Sequence, residues 1–290
     1  MSDDPSTQYP RPPYPPQQQE IPGHTGHMTP RPDHGESTYV GSDRLKNRAA
    51  LITGGDSGIG RAVAIAFARE GADVLISFLN EEEDARETAH WVEKAGRKAV
   101  LVGGDIKDES HCHALVDQAV AEFGRLDILV NNAAYQPMIE RLEDLTAEVW
   151  DTTFRTNVYA MFYLSKAAVR HMKSGGTIIN TSSSQATDPS PRLLGYAATK
   201  GAIATFTMGL AGLLAKDGIR VNAVVPGPIW TPLIPSTVAV EQVQKFGSNT
   251  QLGRAGQPAE LAGTYVLLAS DASSYTTGAL YEVTGGRRPS

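Results

Sequence analysis

The chain has 290 residues, 41% hydrophobic and 20% charged, which supplies a full core for one large α/β domain. A formal net charge of −6 excludes nucleic acid and anionic membrane as default partners, since both demand basic surface. The single cysteine, Cys112, rules out an internal disulfide and fits a reducing compartment.

The opening Met1-Ser2-Asp3-Asp4 lacks the basic stretch and apolar run of a leader. No segment approaches the roughly 18 consecutive apolar residues of a membrane span. The expectation is a soluble, cytoplasmic protein. Nine of the eighteen prolines then fall between Pro5 and Pro32, with Gln17, Gln18, Gln19 and few aliphatic residues. Such a stretch buries too little surface to offset its ordering entropy. Residues 1–45 are therefore expected to form an extended, Pro-rich arm outside the core, and 46–290 the catalytic domain. His24, His27 and His34 lack metal-ligand spacing and are read as part of the solvated arm, so no metal is called for.

From Arg48 onward, short β-branched runs alternate with amphipathic stretches. Ala49 to Thr53 reads as a buried strand, Ile59 to Glu70 as a helix, and Val74 to Ser77 as a second strand. An acid-capped helix from Glu81 to about Ala95 and a strand from Ala99 to Val102 follow, then a helix from Glu109 to Phe123 and a strand from Leu126 to Val130. One long helix is expected from about Ala147 to Met172. After it come strand Thr177 to Thr181, a helix from about Tyr196 to Lys216, and strand Arg220 to Val224. Residues 226–257 lack periodicity and are expected to be a mobile loop. A helix from Pro258 and strand Leu280 to Val283 close the pattern. This alternation predicts α/β architecture, a single Rossmann-type doubly wound parallel sheet flanked by helices.

Two clusters carry chemistry. Thr53-Gly54-Gly55-Asp56-Ser57-Gly58-Ile59-Gly60 joins the first strand to the first helix. There the glycines let backbone N–H groups approach a pyrophosphate at the helix N-terminus. Tyr196 and Lys200, four apart on a helix, share one face. An ammonium there favours the phenolate and lowers a tyrosine pKa from about 10. Ser183, thirteen residues before Tyr196, lies just past the fifth strand, at the edge where open α/β sheets place their chemistry.

With these motifs in order, the sequence over residues 46–286 resembles the short-chain dehydrogenase/reductase family. The resemblance implies catalytic Ser183, Tyr196, Lys200 and Asn157, with Asn157 positioning a proton-relaying water. It implies cofactor contacts from Gly54, Ser57, Gly58, Ile59 and Gly60. Asp105 takes the adenine, with Ile106 beside it, and Asn132, Ala133 and Ala134 flank the cofactor. Pro226, Gly227, Ile229 and Thr231 lie at the nicotinamide, while Lys200 bonds its ribose and Tyr196 faces the ring. Substrate contacts fall to Ser183, Gln185 and Tyr196, with Leu193 and the loop containing Trp230, Leu233 and Ile234 around them, Trp230 serving equally well as packing or as a pocket wall. The implied reaction is hydride transfer between NAD or NADP and an alcohol or carbonyl, with Tyr196 moving the proton and Ser183 steadying the oxygen.

Neither cofactor signature is complete after the second strand. The acidic run Glu81 to Asp84 shifts the expectation toward NAD, although such a run also complements a helix dipole. The Tyr-x3-Lys spacing argues against the enoyl-reductase branch, which separates the pair further. Within the family, the arm, the glycine loop and Gln185 resemble bacterial general-stress oxidoreductases and the glucose-and-ribitol-dehydrogenase-like proteins of plant seeds. That implies an alcohol, sugar or aldehyde substrate and a homo-oligomer, as a tetramer. The alternatives are a nucleotide-binding redox sensor and an arm-mediated structural stress protein with little turnover.

Overall fold

The computed structural model describes residues 4–286; the Met1-Ser2-Asp3 opening used above against a leader lies outside them, as does the end after 286. Seven strands form one parallel sheet: β1 (Ala49–Thr53), β2 (Asp73–Phe78), β3 (Ala99–Gly103), β4 (Ile128–Asn131), β5 (Thr177–Thr181), β6 (Arg220–Pro226) and β7 (Leu280–Val283). Their spatial order is β3-β2-β1-β4-β5-β6-β7, so chain direction across the sheet reverses between β1 and β4. A crevice opens beyond the strand ends at such a reversal.

The strands read as apolar runs because both faces are covered, and the two-residue repeat divides them. Ala50, Ile52 and Ile179 face one core with helices α1 (Gly58–Arg69), α2 (Glu82–Lys94) and α9 (Pro258–Ala269). Leu51, Leu129 and Ile178 face the other with α3 (Glu109–Phe123), α5 (Ala160–Ala168) and α6 (Leu194–Leu214). Each central strand residue thus exchanges water for apolar contact on its own side. The stretch Pro191–Asp217 is apolar and long enough to span a bilayer by composition. Here it packs on the sheet, with Ala211, Leu214 and Tyr196 turned inward.

The structure departs from the sequence reading in three places. The long helix expected over 147–172 is α4 (Ala147–Phe154), a π-helical turn at Arg155–Tyr159, and α5. In that turn Asn157 points inward and bonds both backbone groups of Tyr135. Residues 226–257, expected as a mobile loop, fold into α7 (Leu233–Thr237) and α8 (Val240–Val243) around buried Trp230. The arm, expected to be solvated, is extended but packed. Tyr14 and Met28 are 3% and 4% exposed and share a core with Trp230, Ile234, Val243 and Ala255.

The physical reason is mutual. Tyr14 stacks on Trp230 at 4.2 Å between ring centroids, and the indole Nε1 donates to the Pro30 carbonyl at 2.8 Å. Arg254 Nε donates to the Pro5 carbonyl. Neither segment has a core of its own; together they bury two large rings. His34 is buried as well, its Nδ1 paired with Glu36, whereas His24 and His27 are exposed. At the arm's far end the buried Glu70 carboxylate accepts from the Tyr39 hydroxyl, the Arg44 guanidinium and the Ser42 and Arg44 amides. Burial alone would raise its pKa, but these hydrogen bonds prevail and hold it at about 2.

Candidate active site

A cleft of about 670 Å³ runs along the carboxyl ends of the strands, from the glycine loop to Tyr196. Its size is that of a ligand-binding site. Gly54, Ser57, Gly58 and Ile59 line one end, with Asp105 and Ile106 beside them. Gly58 has φ +49°, a conformation that disfavours any side chain, and a Cβ there would lie 3.1 Å from Thr231. Gly60 lies outside the cleft. Its place is set by packing, because a Cβ would fall 1.8 Å from the Gly54 carbonyl oxygen. Ser57 precedes α1 without capping it by its side chain. The first-turn N–H groups therefore have no side-chain acceptor, which suits a bound phosphate.

Asn132, Ala133 and Ala134 form the floor. Thr53 Oγ1 accepts from the Asn132 and Ala133 amides at 3.0 and 3.1 Å, and Asn132 Nδ2 donates to the Thr53 carbonyl at 3.1 Å. These bonds tie β1 to the segment after β4 exactly where the crevice opens. Pro226, Gly227, Ile229 and Thr231 line the opposite wall. Gly227 is there because its backbone touches Thr284, where a Cβ would come within 2.7 Å.

At the far end Tyr196 and Lys200 sit one turn apart on α6, both buried, with Lys200 Nζ 5.2 Å from the tyrosine ring centroid. Nζ donates to the Thr181 carbonyl at 2.7 Å, which steadies the ammonium at the end of β5. Burial pushes Lys200 down to about 7. Burial also pushes Tyr196 up to about 12, while the Ser183 hydroxyl facing it pulls the other way. The helical spacing predicts that the ammonium brings the tyrosine below its usual value. In the ligand-free cleft the direction is upward, because loss of water around the phenolate outweighs the Ser183 hydrogen bond.

Ser183 and Gln185 both line the cleft; Gln185 is held by its Oε1, which accepts from the Ser190 amide at 2.7 Å. Leu193, Leu233 and Ile234 line it too. Trp230 does not, being committed to Tyr14. Asn157 is likewise away from the cleft. Its Oδ1 accepts from Tyr135 N–H, and its Nδ2 donates to Tyr135 O and to Thr199 Oγ1 at 3.0 Å. Its side chain fixes the segment after β4 against α6, with Thr199 next to Lys200.

Sequence reasoning missed other parts of the lining. Ile21, Pro22 and Gly23 of the arm contribute, as do Asp56 and Glu81 at the glycine-loop end and Gln136, Thr237 and Gln242 at the substrate end. Asp56 and Glu81 were legible as acids beside the loop. Burial, followed by the charge of Glu81, raises Asp56 to about 7. The amides carry no motif and are found only by folding. Among the described residues, every lining side chain bearing a formal charge, Lys200 apart, lies toward the glycine-loop end: Asp56, Glu81, Asp105 and Lys107.

A family model described as enoyl-(acyl carrier protein) reductase matches residues 54–288. General stress protein 39 of Bacillus subtilis is 52% identical over 93% of this chain and 94% of its own length. The glucose and ribitol dehydrogenase of Daucus carota is 46% identical over 94% of this chain and 96% of its own. A crystal structure of a short chain dehydrogenase from Burkholderia cenocepacia in complex with NADP superposes with a TM-score of 0.79. It is 36% identical, covering 84% of this chain and 98% of that one.

Proposed function

The chain belongs to the short-chain dehydrogenase/reductase family, and on that footing we propose that it transfers a hydride between a nicotinamide dinucleotide and an alcohol or carbonyl carbon. The observation that carries this reading is the pairing of Tyr196 with Lys200 at one end of a cleft whose other end is the glycine loop. The fit to a dinucleotide rests on the uncapped first turn of α1 and on the space at Gly58 that a side chain would fill. Gly54, Ser57, Gly58 and Ile59 would hold the pyrophosphate and Asp105 the adenine, while Thr231 and Lys200 would meet the nicotinamide half. When bound, the nicotinamide supplies or accepts the hydride.

The residues then divide the remaining work. In reduction, the substrate oxygen lies between Ser183 Oγ and Tyr196 Oη. Ser183 donates a hydrogen bond to the growing negative charge, and Tyr196 delivers its proton to the same oxygen. A phenol held near 12 is protonated at neutral pH, so it is ready to act as a donor. Oxidation needs the phenolate and must remove that proton first. Reduction thus draws on the phenol and oxidation on the phenolate. Asn157 acts at one remove, holding Tyr135 and Thr199 so that α6 presents Lys200 correctly.

Among the described residues, the substrate end offers Gln136, Gln185, Thr237 and Gln242 and no acidic or guanidinium group. This supports a neutral hydroxylated or aldehydic substrate, in keeping with the sugar and polyol named for the carrot relative. The four-residue spacing of Tyr196 and Lys200 speaks for a carbonyl rather than an enoyl thioester, despite the description of the matching family model. Glu81 at the glycine-loop end supports NAD over NADP by repelling a further phosphate, with Asp56 adding less because burial keeps it partly protonated and Lys107 of the same end acting the other way. Assembly as a tetramer is supported by exposed Trp150, Tyr159, Phe162, Leu194 and Met208 on α4 to α6 and the π turn between them.

The test is a panel of alcohols, sugars, aldehydes and a crotonyl thioester with each cofactor, followed by nicotinamide absorbance. Turnover of a sugar, polyol or aldehyde supports the reading; cofactor binding without turnover of any of them would make the protein a redox sensor. A pH series sharpens it. Oxidation should gain up to about tenfold per pH unit above neutrality while reduction stays level, because only oxidation waits on the phenolate. An oxidation profile flat from neutrality upward would remove Tyr196 as the titrating group.

A further inference from the structure

The arm does more than cover Trp230. Ile21, Pro22 and Gly23 line the same cleft as the glycine loop and Lys200. Their position is fixed from both sides. On one side Thr25 N–H, fully buried, donates to Asp84 Oδ2 at 2.9 Å. The other oxygen of Asp84 pairs with Arg61 at 2.9 Å, and Arg61 Nε donates to the Asp56 carbonyl in the glycine loop at 2.9 Å. On the opposite side Gln19 N–H donates to the Pro235 carbonyl at 2.9 Å. Gly23 lies so near Pro232 that a Cβ would come within 2.5 Å of its carbonyl oxygen. Pro232 follows Thr231, which itself rests against Gly58.

The tripeptide is therefore suspended between the two walls at the level of the glycine loop. Ile21 remains 51% exposed there, although its neighbours Gly23 and Thr25 are buried. An apolar side chain held at the lip of a cleft by such firm anchors loses its contact with water once a ligand fills the space beneath it.

We propose that Ile21, Pro22 and Gly23 are cofactor-binding residues, a third wall contributed by the arm that covers the pyrophosphate and adenosine half of the dinucleotide and slows its release. This rests on the reading of the cleft as a nicotinamide dinucleotide site. Closure by the arm adds contact without an ordering cost at the moment of binding, because both anchors exist beforehand. The arm's part is binding; it reaches none of the groups that move the proton.

The experiment uses the full chain and its Ile21→Ala, Ile21→Asp and Gly23→Val variants. Dissociation constants for NADH, NADPH and ADP-ribose are measured by calorimetry, NADH release by stopped-flow fluorescence, and the melting temperature without ligand. Ile21→Ala should weaken NADH and ADP-ribose about threefold, the loss of part of one apolar contact. Ile21→Asp should weaken both about tenfold, by setting a carboxylate beside the phosphates. Gly23→Val, which must lift the arm off Pro232, should quicken NADH release by about tenfold or more. The Ile21 variants should melt as the parent does, since that side chain is exposed.

The inference is overturned if the Ile21 variants bind all three ligands within twofold of the parent, whatever Gly23→Val does to stability. If the parent itself binds neither NADH nor NADPH, the nicotinamide reading fails and takes this one with it. The two failures are thus told apart by the parent alone.

Discussion

The two long walls of the cleft hold their shape by different means. On the glycine-loop side, Thr53 bonds the segment after the adjacent strand β4, and Gly60 presses α1 onto Gly54 only six residues before it. On the other side, Trp230 is seated by Tyr14 and Pro30, and Arg254 by Pro5, across 200 residues of chain or more. The first wall is a property of the sheet and its turns. The second exists only where the arm meets it. Backbone geometry at a strand end thus secures the glycine-loop wall, while side-chain packing between distant segments secures the wall opposite, which meets both the nicotinamide half and the substrate end. The two walls should therefore fail separately.

The sharpest separation comes from the reacting end. Tyr196→Phe should lower kcat by about a thousandfold or more while the NADH dissociation constant stays within about twofold, since only the proton is lost. Equal losses in both would mean that Tyr196 shapes the cleft instead of acting in it. Tyr14→Ala aims at the distant packing. Opening a cavity beside Trp230 should cost about 3 kcal/mol of stability, read by denaturant unfolding. It should weaken NADH and raise the substrate KM together, since Thr231 and the arm's Ile21 to Gly23 stand on the wall that Tyr14 supports. A loss of stability with both constants unchanged would detach the arm from the cleft.

The Glu70 anchor gives a smaller effect with a definite sign. A carboxylate held at about 2 when folded, against an ordinary 4.5, stabilises the fold fully above the ordinary value. That contribution drains away as pH falls from 4.5 toward 2. Glu70→Gln should therefore lower the melting temperature near neutrality and flatten its fall in acid; parallel pH curves for the two proteins would dismiss the anchor. Smallest is the cofactor choice. Glu81→Gln removes one charge from the acid pair and should improve NADPH affinity relative to NADH by about threefold to tenfold. An unchanged ratio would place the discrimination elsewhere.

What was legible from the residues follows the same division. The strands, the helices and the cofactor motifs come from local patterns: apolar runs, a glycine turn after a strand, a tyrosine and lysine one helical turn apart. Glu109–Phe123 and Leu280–Val283 fall where periodicity puts them. The arm misled because composition describes a segment by itself. A proline-rich stretch cannot make a core, yet it can complete one when the partner supplies a tryptophan, and that partner is far away in sequence. The surroundings of Asn157 were illegible for a related reason, since its three hydrogen bonds are visible only once Tyr135 and Thr199 are beside it. The rise of Tyr196 is likewise an effect of burial, which spacing along a helix does not report.

The bond between the Pro30 carbonyl and the Trp230 indole has a consequence for how the protein is made. During synthesis residues 5–30 leave the ribosome before their seat, which is not finished until the stretch through Arg254 and Glu260 has been translated. That segment must therefore wait for partners 200 residues or more further along the chain before it is placed. Nascent chains halted before residue 230 should leave that segment open to protease, and release of the complete polypeptide should protect it.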